Sequence, residues 1–360
     1  MKIGTVKEIK NNENRVGLTP QAVHDYVLHG HQVYVESNAG VGSGFINEEY
    51  RASGATIISD ASTVWNTVDM MVKVKEPLPV EYKYFRKGLI LYTYLHLAAE
   101  ERLLEALLKS EVTSVAYETI ELEDRSLPCL KPMSQVAGRL AVIEGSKYLQ
   151  TPYGGRGILI NGVPGVSRAN AVVIGAGTVG ENAISSLVGL GANVTVLDVN
   201  LYKLEQLNQE YKNQITTLYS NTTNIISALV NADLVISCVL LPGAKAPKLI
   251  KTEYYKDMKL GAVIVDVAID QGGSTEVSKP TTHSDPVFTV DGIIHYCVAN
   301  MPGAVALTST LALNNATIKF GLQIADKGIE KALEYKPITL GLNTYQGKIT
   351  NGAVKESYKG

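Results

Sequence analysis

The chain has 360 residues, which predicts two domains because a domain typically spans about 150 residues. Its composition, 45% hydrophobic and 19% charged, excludes an intrinsically disordered chain, and its 32 glycines follow no triplet repeat, which excludes collagen. The formal net charge of -2 excludes the basic excess that drives binding along nucleic acid, and no polybasic tail indicates a membrane surface. We therefore expect neither nucleic acid nor membrane among the partners.

The N-terminal sequence and the cysteine content bear on the cellular compartment. The opening MKIGTVKEIKNNENR lacks the apolar core of a signal peptide, and no apolar stretch approaches the ~18 residues of a spanning helix. Three cysteines, Cys129, Cys238 and Cys297, are too few for a disulfide framework, and their apolar surroundings predict small buried side chains. No spacing of His, Asp or Glu residues indicates a metal site. The expected location is cytoplasmic.

In the first third of the chain, apolar β-rich runs alternate with helical patterns, which is typical of an α/β protein with parallel sheets. The predicted strands lie at residues 2–6, 32–36, 55–59, 69–74, 89–95 and 113–117. Thr19 and Pro20 predict the start of a helix that ends at Gly30, and leucines at helical spacing predict an amphipathic helix over 98–109. Two prolines and a charge cluster favour a domain boundary within 121–134.

A second α/β unit follows a predicted helix at 135–149 and a glycine-rich stretch. Its predicted strands lie at residues 171–174 and near 193–197, 234–239, 262–267 and 293–298. A helical pattern over roughly 308–333 is long enough to return to the first unit, whereas the last stretch, about 25 residues, is weakly patterned. The predicted fold is α/β, with two Rossmann-like domains that have parallel sheets, an active-site cleft between them and long linking helices. We expect one discontinuous domain, 1–128 plus 307–360, and a second domain, 129–306, inserted into it.

The sharpest local motif is a glycine-rich turn between an apolar run and a helical pattern, AVVIGAGTVGENAISSLVGLGANVTVLDVN. Gly175 permits the tight turn, Gly177 lets the backbone approach a pyrophosphate, and Gly180 lets helix and strand pack closely. Asp198 lies 18 residues after Gly180, where a carboxylate bonds a ribose 2′-hydroxyl and repels a 2′-phosphate. The motif predicts that the second domain binds NAD. A purely structural turn is the alternative, and Lys203 keeps NADP open as the cofactor.

If the second domain binds NAD, the first is the substrate domain, and its charged residues are candidates for binding. Arg15 precedes a helix cap, where a guanidinium can grip a carboxylate bidentately; the alternative is a solvated loop charge. Lys75 ends a predicted strand and Lys73 lies on the same face. Periodicity cannot choose between these two lysines.

Two further residues follow predicted strands. His96 comes after the apolar run LILYTYL, so it is either a core histidine or a general acid/base. Asp270 follows a strand of the second domain, beyond the carboxyl ends where open α/β sheets bind ligands. Asp266 and His295 lie inside strands, and we expect structural roles for them. Surface or capping roles are expected for His24, His29 and His31.

Taken together, these motifs show that the chain resembles the alanine dehydrogenase family over essentially its whole length. The similar segments are MKIGTVKEIKNNENRVGLTP, VKVKEP, LILYTYLHLAAE, KPMSQVAGR, GGRGILINGVPGV, GAGTVG, LLPGAKAPKLI, VDVAIDQGG and VANMPGAV with the following TST. Many collinear motifs make this resemblance more specific than the glycine-rich turn alone. It implies NAD-dependent interconversion of L-alanine with pyruvate and ammonia by a homohexamer.

The resemblance also implies roles for individual residues. It assigns Arg15 and Lys75, in preference to Lys73, to the substrate carboxylate and carbonyl. His96 is then the acid/base and Asp270 its partner. The NAD contacts are expected at Ser134, Gly175, Gly177, Thr178, Val179, Gly180, Asp198, Lys203, Ser220, Val239, Leu240, Val267, Ala268, Ile269, Asp270, Lys279, Val298, Ala299, Asn300 and Met301.

The chain departs from the family pattern at a few positions, and alternatives stay open. Ala306-Leu307 stands where family members often have Pro-Arg, and Lys203 and Lys279 stand where relatives often have Arg. Lysine keeps the charge but lacks the planar fork, so we expect weaker cofactor affinity. The alternatives are the nucleotide-binding subunit of a transhydrogenase, a non-enzymatic NAD sensor, and a dehydrogenase of another small amino acid such as glycine or serine.

Overall fold

The computed structural model describes residues 1–239 and 246–358 of the chain. It divides into two compact units, Met1–Met133 with Val305–Gly360 and Ser134–Ala304, which we call the first unit and the second unit. The predicted ranges 1–128 plus 307–360 and 129–306 run close to these units. Their assignment to substrate and to cofactor stays a prediction.

Strands and helices alternate along most of the chain. The strands are β1 (Lys2–Thr5), β2 (Gln32–Glu36), β3 (Thr56–Ile58), β4 (Met70–Val72), β5 (Ile90–Thr93), β6 (Thr113–Ala116), β7 (Asn170–Ile174), β8 (Asn193–Asp198), β9 (Ile215–Tyr219), β10 (Leu234–Ser237), β11 (Val263–Asp266), β12 (Val287–Val290), β13 (Ile293–Tyr296), β14 (Leu342–Tyr345) and β15 (Lys348–Ile349). The α-helices are α1 (Pro20–Leu28), α2 (Asn47–Ala52), α3 (Ala61–Thr67), α4 (Glu101–Lys109), α5 (Lys131–Tyr148), α6 (Thr178–Leu190), α7 (Leu201–Glu210), α8 (Thr222–Asn231), α9 (Ala306–Ala332), α10 (Lys336–Gly341) and α11 (Gly352–Ser357). The predicted α/β class is confirmed.

Both sheets have the strand order of a doubly wound fold. In the first unit the parallel strands lie in the order β3-β2-β1-β4-β5-β6, and in the second unit in the order β9-β8-β7-β10-β11-β13. The winding direction reverses between β1 and β4, and again between β7 and β10. Each reversal creates a crevice at the carboxyl ends of the strands, where such sheets bind ligands.

The predicted parallel sheets each carry antiparallel strands at one side. β12 pairs with β13, and β14 pairs with β6 and β15, all antiparallel. Two of these three pairs are hairpins with two-residue turns: Asp291-Gly292 joins β12 to β13, and Gln346-Gly347 joins β14 to β15. All four turn residues have positive φ, from 49° to 78°, which is the geometry that closes a tight hairpin.

The helices predicted from apolar spacing bury the expected side chains. α4 is the predicted amphipathic helix, and Leu103, Leu104 and Leu107 are buried in the core of the first unit. α9 matches the long predicted helix but is interrupted at Gly328, where φ is 72° and ψ is 160°. Helix α9 belongs to the first unit. The hydroxyl of Tyr92 on β5 donates to the carbonyl of Thr317 on α9 at 2.9 Å.

The three cysteines are buried free thiols, as predicted. Burial raises the pKa of Cys129 and of Cys297 to about 12, and it raises the pKa of Cys238 as well. These side chains therefore stay protonated near neutral pH and behave as small apolar groups.

The histidines near α1 only partly match their predicted surface or capping role. His29 is the C-terminal cap residue of α1, and its Nδ1 lies 2.9 Å from Asp326 on α9. The side chain of His31 is largely buried, and its Nε2 lies 2.8 Å from the other carboxylate oxygen of Asp326. One carboxylate of α9 thus binds both imidazoles.

His295 lies inside β13 and is fully buried, and neither ring nitrogen has a hydrogen-bond partner among the described residues. Its ring stacks on Phe288 with 5.0 Å between centroids. Burial lowers the pKa of His295 from 6.5 to about 4. A neutral, packed imidazole fits the structural role predicted for it.

We expect His295 to make the folded state sensitive to acid. Between pH 6.5 and about 4 the unfolded chain binds a proton that the folded chain does not, so stability falls as the pH drops through this window. The full effect is about 3 kcal/mol, at roughly 1.4 kcal/mol per pKa unit. In His295→Phe, urea unfolding at pH 7 and pH 4.5 should show a smaller loss of stability than in the unsubstituted protein. An equal loss in both proteins would contradict this role of His295.

Candidate active site

The predicted substrate residues of the first unit lie beyond the carboxyl ends of its parallel strands. Arg15 is in the loop after β1, Lys75 follows β4 and His96 follows β5. These three strands are adjacent and parallel, so their carboxyl ends lie next to one another at the same end of the sheet. The crevice between β1 and β4 opens there. The structure therefore brings three of the predicted residues to a ligand-binding position of the fold.

Arg15 is buried, with 2% of its surface exposed, and its guanidinium forms a bidentate ion pair with Glu13. Nε lies 2.7 Å from Oε1 and Nη2 lies 2.5 Å from Oε2, while Nη1 donates to Met133 Sδ at 3.1 Å. Burial lowers the pKa of Arg15, but hydrogen bonds to Glu13 and its charge outweigh this, and the net direction of the pKa is upward. A solvated loop charge is therefore the wrong interpretation, because Arg15 is a buried and oriented cation.

Lys73 and Lys75 have different environments, although their spacing could not separate them. Lys73 is fully buried, and its ammonium lies 2.9 Å from Glu8 Oε2 and 3.2 Å from Glu81 Oε1. Lys75 is half-buried, and its backbone N–H donates to Glu8 Oε1 at 3.3 Å. Because the Lys73 side chain is fully buried whereas Lys75 is half-buried at the crevice, Lys75 is the better candidate for binding a substrate.

His96 is exposed, so the interpretation as a core histidine is wrong. Its ring stacks on Tyr94, with 6.0 Å between centroids and 14° between planes. Its backbone adopts φ of 52°, and Glu118 holds this turn by accepting from the N–H groups of Leu95 at 3.0 Å and His96 at 2.7 Å. Sequence reasoning missed Glu118, which lies far along the chain from the turn that it holds.

The glycine-rich turn of the second unit has the geometry that its motif predicts. Gly175 follows β7 with φ of 97°, and α6 begins directly after Gly177. A Cβ on Gly180 would lie 1.9 Å from the Gly175 carbonyl oxygen, whereas a Cβ on Gly177 would meet no atom within 4 Å. Gly180 is thus required for packing, and Gly177 faces open space. No side chain of the described residues caps the N-terminus of α6, so its amide groups suit an anion.

Asp198 is the last residue of β8 and supports the same turn. Its Oδ2 accepts from the backbone N–H of Ala176 at 2.6 Å, and its Oδ1 accepts from that of Asn200 at 2.7 Å. Each carboxylate oxygen can accept a further hydrogen bond, which leaves capacity for a hydroxyl. Lys203, in the first turn of α7, forms an ion pair with Glu181.

Asp270 is exposed and lies in a short 3-10 helix, Val267–Gln271, directly after β11. Two residues hold this helix. Asp266 is buried and accepts from the backbone N–H of Ala268 in this helix, at 3.2 Å, and from that of Ser274 beyond it, at 2.7 Å, which fits its predicted structural role. Lys248 donates to two carbonyl oxygens just after it, at 2.6 and 2.9 Å, and had no signal in the sequence.

The remaining predicted cofactor residues are spread over the second unit. Several of them follow strands of its sheet and therefore lie, like Gly175, beyond the carboxyl ends of the strands. They are Ser220, Val239, Val267, Ala268, Ile269, Val298, Ala299, Asn300 and Met301. Ser134 lies instead on α5, and the ammonium of Lys279 lies over the ring of Phe288, 4.6 Å from its centroid. Leu240 lies outside the described residues.

Two family descriptions match nearly the whole chain. Residues 4–137 match "Alanine dehydrogenase/PNT, N-terminal domain", and residues 141–352 match "Alanine dehydrogenase/PNT, C-terminal domain". The chain belongs to the alanine dehydrogenase/PNT family.

Individual members of the family are similar along their full length. The chain is 53% identical to an alanine dehydrogenase of Methanococcus maripaludis, over 99% of this chain and 96% of that protein. It is also 53% identical to alanine dehydrogenase 2 of Staphylococcus aureus, over 100% of this chain and 97% of that protein. Membership in the alanine dehydrogenase/PNT family implies a nicotinamide cofactor and small-molecule substrates.

Solved structures agree with this membership. A structure named L-alanine dehydrogenase superposes with a TM-score of 0.96 at 46% identity, covering 99% of both chains. A transhydrogenase from Sinorhizobium meliloti has a TM-score of 0.84 at 24% identity, covering 98% of this chain and 100% of that chain, which shows a shared fold. Within the alanine dehydrogenase/PNT family, this member is therefore closer to the alanine dehydrogenases than to that transhydrogenase.

Two further findings concern only residues 1–239 and 246–358 of this family member. None of its helices there combines the length and apolar character that crossing a membrane requires. No cluster of three or more His, Cys, Asp or Glu side chains in that part is arranged to hold a metal ion.

Proposed function

We propose that this protein catalyses the reversible, NAD-dependent oxidative deamination of L-alanine to pyruvate and ammonia. The observation that supports it most is that Arg15, Lys75 and His96 all follow the carboxyl ends of neighbouring parallel strands. The chain that carries them is 53% identical over its full length to alanine dehydrogenases. In this proposal the first unit binds the amino acid and the second unit binds NAD. A homohexameric state and a cytoplasmic location are part of the same proposal.

Arg15 would bind the substrate carboxylate. A planar guanidinium has five N–H donors and binds carboxylates in bidentate geometry, as Arg15 binds Glu13 through Nε and Nη2. The ion pair with Glu13 fixes the plane of the guanidinium before substrate binds. A fixed plane aims the Cα–H bond of alanine, and near-attack positioning contributes several kcal/mol to catalysis.

His96, Lys75 and Asp270 would carry the proton and charge chemistry. When bound, NAD supplies the acceptor for the hydride that leaves Cα of alanine. The substrate then becomes an iminium, water adds to its carbon, and ammonia leaves the resulting carbinolamine to give pyruvate. His96 exchanges protons with the carbinolamine oxygen. Lys75 bonds the keto oxygen of pyruvate in the reverse direction, and the Asp270 carboxylate offsets the iminium charge.

The residues of the second unit fit a dinucleotide. Gly177 faces open space in front of the uncapped N-terminus of α6, which is the place for a pyrophosphate. The proposed contacts with the dinucleotide are Ser134, Thr178, Val179, Asp198, Lys203, Ser220, Val239, Leu240, Lys279 and the segments 267–270 and 298–301. The Asp198 carboxylate favours NAD, because it would repel the 2′-phosphate of NADP.

A substrate panel tests the proposed reaction. We expect the highest kcat/KM for L-alanine with NAD, among L-alanine, glycine and L-serine each tested with NAD and NADP. The measurement is NADH or NADPH formation at alkaline pH. A protein that binds NADH but forms none of it from alanine would contradict the enzyme proposal and favour an NAD sensor. Higher kcat/KM for glycine or serine would reassign the substrate within the same chemistry.

The Asp198→Gly variant is expected to lose preference for NAD. Removing the carboxylate deletes the acceptor for the ribose hydroxyl and the repulsion of a 2′-phosphate, so kcat/KM with NAD should fall about tenfold or more while NADP improves. Asp198→Asn is the matched control, because it keeps an acceptor oxygen for the Ala176 amide but lacks the charge. An unchanged KM for NAD in Asp198→Gly would show that the fingerprint assignment is wrong.

A further inference from the structure

Three charged side chains form a buried cluster next to the proposed substrate site, which we call the buried triad: Lys73, Glu8 and Glu81. The ammonium of Lys73 lies 2.9 Å from Glu8 and 3.2 Å from Glu81. The exposed fractions of the three side chains are 0%, 2% and 6%. Two carboxylates therefore share one cation in the interior of the first unit.

Such a cluster is costly to bury, so it needs a reason. Desolvation of ions often outweighs their attraction, and an apolar side chain of similar volume packs at least as well. The neighbouring residues Met70, Met71, Val72 and Val74 are all apolar and buried. Burial raises the pKa of Glu8 against the opposing charge of Lys73, which also shows that this ionised group is held at a cost. Packing alone does not explain the buried triad.

The two oxygens of Glu8 have different partners. Oε2 binds the Lys73 ammonium, whereas Oε1 accepts from the backbone N–H of Val74 at 2.6 Å and of Lys75 at 3.3 Å. These amides lie beyond the end of β4, in the crevice where β1 no longer runs beside it. The carboxylate of Glu8 thus replaces the missing strand as the acceptor for this backbone.

The backbone of Lys75 is held on its other side as well. Thr93, at the end of β5, donates its hydroxyl to the Lys75 carbonyl at 3.1 Å. Glu8 on one side and Thr93 on the other therefore fix the peptide from which the Lys75 side chain extends. Glu81 contacts Lys73, and it accepts from the Leu78 N–H at 2.8 Å at the start of a short 3-10 helix, Pro79–Tyr84.

We propose that Glu8 is a positioning residue for Lys75, with the ammonium of Lys73 holding the Glu8 carboxylate in its orientation. Glu8 fixes the Lys75 backbone so that its ammonium reaches the keto oxygen of the substrate. This inference rests on the proposed function, in which Lys75 binds that oxygen. Glu8 itself acts through Lys75.

Glu8→Ala and Glu81→Ala form a matched pair that tests the proposal. Each variant removes one carboxylate from Lys73 and leaves one, so the remaining charge is the same. Only Glu8→Ala releases the Lys75 backbone. We expect kcat/KM for pyruvate in reductive amination to fall about ten- to a hundredfold in Glu8→Ala, mostly through KM, and by less than about threefold in Glu81→Ala. The Kd of NADH, measured by fluorescence, should stay within about twofold in both.

Conservative variants complete the test. Glu8→Gln keeps an oxygen that accepts from the amides and should recover most of the lost kcat/KM. If Glu8→Ala does not fold, Glu8→Asp decides, because its shorter side chain keeps the charge but cannot reach both Lys73 and the amides; it should show the same loss for pyruvate. Equal losses in Glu8→Ala and Glu81→Ala, or pyruvate kinetics within about twofold of the unsubstituted protein in Glu8→Ala or Glu8→Asp, would overturn the proposal.

A wrong proposed function and a wrong role for Glu8 would give different experimental results. Activity of the unsubstituted protein with alanine and pyruvate tests the proposed function. The ratio of each variant to that protein tests the role of Glu8.

Discussion

Replacing His96 by alanine is expected to lower kcat for alanine oxidation about 10²- to 10⁴-fold, the usual contribution of a general acid/base. The reason is that the carbinolamine oxygen loses the group that exchanges its proton. The fold should tolerate the change, because the imidazole is exposed and Glu118 holds the turn through backbone N–H groups. The measurement is steady-state kinetics together with NADH binding, which should be unchanged.

His96→Asn is the matched variant for this prediction. The backbone at position 96 has φ of 52°, a region that asparagine tolerates better than alanine does. Asparagine thus preserves the turn without a titratable side chain, and it should show the same loss of kcat. A kcat within about tenfold of the unsubstituted protein in both variants would assign the proton transfer to another residue.

Gly180→Ala should abolish dinucleotide binding, whereas Gly177→Ala should weaken binding without affecting the fold. The added Cβ at position 180 would lie 1.9 Å from the Gly175 carbonyl oxygen, and a backbone atom cannot move aside without disrupting the turn. Overpacking of this kind costs about 1–3 kcal/mol, which lowers Tm by several degrees. At position 177 the Cβ meets no protein atom within 4 Å, so only a bound pyrophosphate would meet it.

Thermal unfolding and NADH titration separate these two effects. We expect a lower Tm and no NADH binding for Gly180→Ala, and an unchanged Tm with weaker NADH binding for Gly177→Ala. If Gly177→Ala binds NADH as tightly as the unsubstituted protein, the pyrophosphate does not pass over this turn.

The elements with strong local patterns were predictable from the sequence. The leucines of α4, the strand–turn–helix of the fingerprint and the long helix α9 all follow from spacing, because each pattern lies within one element. β12, β14 and β15 were missed, although Asp291-Gly292 is a hairpin turn signal. β12 and β15 are short edge strands with few buried side chains, and β14 is only four residues long, so none of the three leaves a clear periodicity in the sequence. β9 was missed as well, since its residues are mostly not buried.

The candidate site was predictable in its residues but not in its supports. Strand ends indicated His96, Asp270 and the pair Lys73 and Lys75 as candidates, because polar residues after apolar runs are visible in a sequence. Glu8 and Glu118 were not visible, because they act on backbone groups 66 and 23 positions away along the chain. Periodicity could not choose between Lys73 and Lys75 for the same reason, since the carboxylate of Glu8 that binds Lys73 is 65 positions distant.

The central claim is that a hydride passes from Cα of L-alanine to the nicotinamide of NAD on this protein. The most direct measurement uses L-alanine with deuterium at Cα, NAD and the purified protein, followed by mass spectrometry of the NADH formed. We expect NADH that is one mass unit heavier, formed together with pyruvate. NADH without deuterium, or pyruvate formed without NADH, would contradict it.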